Sequence, residues 1–166
     1  MCCQPPTDLF GGPEPGKRSV THADLASWLL AKETDAAADT PGLAAAAERV
    51  CQKLSRRLSR LVSPAGSHAI VSRALHLARV EFPFLEGVRA AGAPEACFEG
   101  LDARLHDIEA GAACKGLLAV MGLLLDLLVG FIGEDLTLRL VREAWPDLPL
   151  LAPSQPWNSG GQEVVS

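Results

Sequence analysis

The stretch Gly116–Ile132 constrains this chain most. It is 17 residues long, apolar on every side of a helix, and carries one charge, Asp126. A helix of that kind must be enclosed, either by other protein or by lipid. Its length is at the lower limit for crossing a bilayer. An acid near the middle of an inserted helix costs about 2.5–3.5 kcal/mol. The flanking segments are amphipathic and can supply partners. The expectation is a central core helix over about 112–132 and no membrane span.

The residues around it favour helices too. Leu and Ala supply 26 and 25 of 166 residues, Val and Ile together only 14, and Tyr is absent. Leu and Ala have high helix propensity, whereas sandwiches and barrels need β-branched and aromatic residues. A hydrophobic content of 48% excludes a wholly disordered chain. The fold class is all-α: a compact bundle of four to five helices around the central apolar helix, with flexible N- and C-terminal arms.

Apolar periodicity places the elements. Residues 1–40 form the N-terminal arm, rich in Pro and Gly at first, with a short amphipathic helix near 22–33 capped by Thr21. Residues 41–146 form the bundle domain. Its first long helix spans about 41–62, with Thr40 as cap, Pro41 at the first helical position, and Ala47, Val50, Leu54, Leu58 and Leu61 in one stripe. Ser63-Pro64-Ala65-Gly66 is read as a stop, and Ser67 as the cap of a helix over about 68–82. A connection over 84–93 leads to a helix over about 95–109, striped by Phe98, Leu101, Leu105 and Ile108, and Gly111 breaks it. A last helix runs from Glu134 to about Trp145. Residues 147–166 are the C-terminal tail, where Leu148, Leu150 and Leu151 could dock.

Charge and motifs narrow the function. The formal net charge is −5. There is no aromatic platform for bases and no basic bias outside one helix, so no nucleic-acid partner is expected. The five cysteines are odd in number and form no CxxC, which fits a reducing cytoplasm, with Cys51, Cys97 and Cys114 as packing thiols. Arg outnumbers Lys 11 to 4, a bias that fits a bacterial source. No HExxH, GxSxG, P-loop or GxGxxG motif occurs. Asp102, His106 and Glu109 share a face of the expected 95–109 helix, but a second ligand helix is missing. The expectations are no enzyme activity, no catalytic residue, no metal and no cofactor.

Three surfaces are the interaction candidates. Lys115, Ala119, Gly122, Asp126, Gly130 and Gly133 recur down one side of the apolar helix, each small or charged. Glycine inside a helix costs about 1 kcal/mol relative to alanine, so close approach by another backbone competes with a simple exposed edge. Arg49, Lys53, Arg56, Arg57 and Arg60 against Glu48 give the 41–62 helix a net charge of +4, and residues 95–109 carry −4. These faces either pair with each other, take an anionic partner, or are simply solvated. Leu25, Trp28 and Leu29 on the N-terminal helix either enter a partner's groove or fold back onto the bundle.

The run Phe131–Pro146, FIGEDLTLRLVREAWP, resembles the ending of small all-helical bacterial proteins of unassigned activity. The segment Ala74–Leu85, with Arg79 and Phe82-Pro83-Phe84-Leu85, is similar to them as well. The likeness covers about 43–146. It implies helix packing and carries no activity. Within it, Thr137, Leu140, Val141 and Ala144 are expected to face the core, and Asp135, Arg139 and Glu143 to form a surface row. The functional expectation is a cytoplasmic, non-enzymatic regulatory or protein–protein interaction module working by helix-face docking, homodimerisation included. Its rival is a sensor with an apolar pocket for a small hydrophobic ligand or haem.

Overall fold

A computed structural model describes residues 22–34, 39–91 and 96–148. The order is α1 (His22–Glu33), α2 (Thr40–Leu58), α3 (Pro64–Glu81), a 3-10 turn (Pro83–Leu85), β1 (Arg89–Ala90), β2 (Phe98–Glu99), α4 (Leu101–Leu105), α5 (Ala110–Ile132) and α6 (Glu134–Ala144). The fold is an all-α bundle. Helix α5 is its centre and touches α1, α2, α3 and α6. Among the described residues α5 is the one helix long and apolar enough to cross a membrane, by length and composition. Here its inner side packs Leu117, Val120, Met121, Leu124, Leu125 and Leu128 into the core. Gly116 sits where a Cβ would strike the ring of Phe84, so this glycine lets the turn after α3 close onto α5.

Local chemistry sets the helix ends. Asp39, not Thr40, caps α2: its carboxylate accepts from the Gly42 amide at 3.0 Å, and Thr40 and Pro41 open the helix. Ser63 caps α3, accepting from the Gly66 amide at 3.1 Å, with Pro64 in the first turn. Ser63-Pro64, expected as a stop, is thus a start signal, and α3 begins four residues before the expected 68. Helix α2 ends at Leu58, which leaves Leu61 47% exposed instead of in the stripe. Gly111 is absorbed into the first turn of α5.

The expected helix over 95–109 is the main correction. Among the described residues it is replaced by β2, a turn and the five-residue α4. Gly100 adopts φ +85°, a left-handed value that ends any continuous helix there. The amides of Cys97 and Phe98 both donate to the Glu48 carboxylate, the latter at 3.0 Å. β1 and β2 pair antiparallel, Arg89 opposite Glu99 and Ala90 opposite Phe98. The apolar positions still turn inward: Phe98, Leu101 and Leu105 are buried.

Helix α1 belongs to the bundle. Leu25, Ala26, Leu29 and Leu30 are core residues. The Thr21 cap and Leu150 and Leu151 lie outside the described residues, whereas Leu148 is buried. On α6, Thr137, Leu140 and Val141 are buried and Ala144 packs against the core. Gly133 joins α5 to α6 at φ 91°, ψ 159°, a conformation essentially confined to glycine. Gly133→Ala is expected to cost about 1–2 kcal/mol, read as a lower denaturation midpoint, although a Cβ there would meet no atom within 4 Å.

Candidate functional site

The basic face of α2 is divided between internal contacts and solvent. Lys53 pairs with Glu33 of α1, and Arg49 Nε lies 3.4 Å from the same carboxylate. Trp145 Nε1–H donates to Glu33 Oε1 at 2.7 Å, and Lys53 Nζ stands 5.3 Å from the centre of the Trp145 ring. Arg57 is half-buried and donates to the Glu143 carbonyl at 3.0 Å. Arg56, and Arg60 in the turn after α2, are exposed; Arg49 is exposed too, but its head reaches Glu33. Lys53 and Arg49 of this face therefore meet α1, and Arg57 meets α6.

Glu33 organises that cluster. Its side chain is only 10% exposed. Burial would raise its carboxyl pKa. Hydrogen bonds from Lys53 and Trp145, with the charges of Lys53 and Arg49, outweigh burial and hold it below the ordinary value. The contact ties α1, α2 and the end of α6 together.

The N-terminal candidates are also committed internally. Leu25 and Leu29 are buried, so they offer nothing to a partner's groove. Trp28 is half-buried against the core with Lys32 Nζ 5.7 Å from its ring centre.

The small-residue side of α5 is its open edge. Lys115, Asp126 and Gly130 are exposed, and Leu118, Ala119, Gly122, Leu123 and Val129 are half-covered. Among the described residues a Cβ added at Gly122 or Gly130 would meet nothing within 4 Å, so no described helix approaches them closely. Asp126 faces solvent, its side chain 56% exposed, and pairs with His22 Nδ1 at the start of α1. Under half of the apolar stretch of α5 is fully buried.

The other polar groups serve the fold. Arg79 donates to the carbonyls of Leu85 (3.4 Å) and Val88, holding the turn after α3. His76 is exposed on α3. Asp102, His106 and Glu109 are exposed, and because α4 stops at Leu105 they no longer share one helix. Among the described residues no group of three or more His, Cys, Asp or Glu is placed to hold a metal ion. Cys51 and Cys97 are buried free thiols. Cys114 is buried too, but it is disulfide-bonded, which corrects its expected role as a packing thiol.

These features define an all-α helical bundle with one open apolar helix edge. Comparison with protein-family models, curated proteins and solved structures gives no match.

Proposed function

We propose that this chain is a non-enzymatic regulatory module that works by protein–protein contact, and that the open edge of α5 docks a second copy of the chain. The observation that carries the reading is this edge: an apolar strip left half-covered, with a cation at Lys115 and an anion at Asp126. Exposed apolar strips bounded by charge are typical of association surfaces.

The arrangement is self-complementary. In an antiparallel crossing centred between Ala119 and Gly122, Lys115 of one copy faces Asp126 of the other. Leu118 then meets Leu123, and the small residues fall where the axes come closest. A two-fold axis makes each contact twice, as an isologous dimer requires. Among the described residues a Cβ at Gly122 would meet nothing within 4 Å, so a second backbone has room to approach. Close approach recovers contact energy that offsets the cost of glycine in a helix.

Light scattering on the full chain tests this. A dimer is expected at micromolar concentration. Asp126→Lys sets like charges opposite each other at both ends and is expected to weaken the dimer about tenfold or more. Adding Lys115→Asp to Asp126→Lys is expected to restore it. A monomer from micromolar to millimolar concentration overturns the reading.

A further inference from the structure

Cys51 and Cys97 share a cluster that the docking surface does not use. Glu48, Cys51 and Ser55 stand on one face of α2, at spacings of three and four. The segment carrying Cys97 lies along that face. At one end the Cys97 amide donates to the Glu48 carboxylate. At the other, Cys97 Sγ is 3.5 Å from Ser55 Oγ. Cys51 lies between these two anchors, on the face of α2 that Cys97 covers. We propose that Cys51 and Cys97 form a dithiol that hydrogen peroxide closes to a disulfide, joining α2 to the residue that leads into β2.

Each sulfur has a distinct part. Cys51 is fully buried, and Cys97 keeps 7% of its surface exposed. Burial pushes the Cys51 thiol well above its ordinary pKa. The Cys51 thiol and the Ser55 hydroxyl hydrogen-bond to Cys97 and lower its pKa against the effect of burial. Cys97 is therefore the attacking sulfur, since the thiolate is the nucleophile. It attacks one peroxide oxygen, the O–O bond breaks, and the departing hydroxide takes the thiol proton as water. Cys97 is left as a sulfenic acid. The Cys51 sulfur then attacks the Cys97 sulfur, the S–O bond breaks, and a second water leaves with the Cys51 proton. Two electrons pass from the two thiols to the peroxide.

The test uses the full chain, reduced, freed of reductant, and treated with hydrogen peroxide. Unreduced peptide mapping is expected to show the Cys51 and Cys97 peptides cross-linked, with the loss of two hydrogens. Cys51→Ser is expected to leave a sulfenic acid at Cys97 that a diketone probe labels. Cys97→Ser is expected to leave Cys51 an unlabelled thiol. The proposal is overturned if untruncated wild-type protein, unfolded after treatment, shows both residues still alkylated as thiols. It is equally overturned if Cys97 proceeds to sulfinic acid or either residue is joined to a different cysteine. The wild-type arm decides the matter even if a serine variant folds poorly.

Discussion

Trp145→Ala is expected to lower the unfolding free energy by about 3–5 kcal/mol, the usual cost of truncating a buried Trp to Ala. Trp145 follows the last turn of α6 and is only 3% exposed. Its ring belongs to the main core, and Lys53 lies over it. Its indole N–H reaches Glu33, 112 positions earlier in the chain. Truncation leaves a cavity and also removes a donor from a nearly buried carboxylate. Trp145→Phe separates the two effects. It keeps most of the apolar volume and loses the N–H, so about 1–2 kcal/mol is expected. Denaturant titration followed by far-ultraviolet circular dichroism measures both. A Trp145→Ala cost below that of Trp145→Phe would show that ring burial contributes little.

Sequence periodicity located α2, α3 and α6 by their apolar stripes, and α5 by an apolar run too long for a strand. It was weaker at the ends. Asp39 and Ser63 each lie before a possible second cap or a proline, and a linear reading cannot say which oxygen reaches the amide. The helix expected over 95–109 shows the limit most clearly. Its apolar spacing was real, and Phe98, Leu101 and Leu105 do face the core. What the spacing could not show is that Glu48, about fifty residues away, takes the amides of Cys97 and Phe98. A tertiary hydrogen bond thus overrode local propensity.

The same reason hid the polar clusters. Glu33 stands in an unremarkable amphipathic helix, and its partners Lys53 and Trp145 are remote in sequence. One clue was present: Glu48 is the lone acid in a basic, apolar helix, and such an isolated charge must find a partner or solvent. The open edge of α5 was legible because it needs only one helix's own spacing. Lys115, Gly122, Asp126 and Gly130 fall on one side whatever packs against the other.

Glu33→Gln is expected to destabilise the fold by about 2–3 kcal/mol at neutral pH, since hydrogen bonds to charged groups contribute about 1.5–3 kcal/mol. The substitution keeps the shape and an acceptor oxygen but removes the charge that Lys53 and Arg49 face. Those two cations are partly exposed, so the cost stays below that of breaking a fully buried pair. The charge also sets the pH dependence. The folded-state pKa of Glu33 lies below its ordinary value. Its stabilisation is therefore complete above the ordinary carboxyl pKa, near 4.5, and is lost as pH falls through the lowered folded value. Once protonated, Glu33 is nearly equivalent to Gln at this site. The stability gap between wild type and Glu33→Gln should accordingly narrow as pH falls below about 4.5 and close once Glu33 is protonated in the fold. Denaturation midpoints of both proteins across that range provide the measurement. A gap that stays constant with pH would mean that the contact is held by shape and hydrogen bonding alone. A narrowing gap would instead place the ion pair with Lys53 at the joint of α1, α2 and α6.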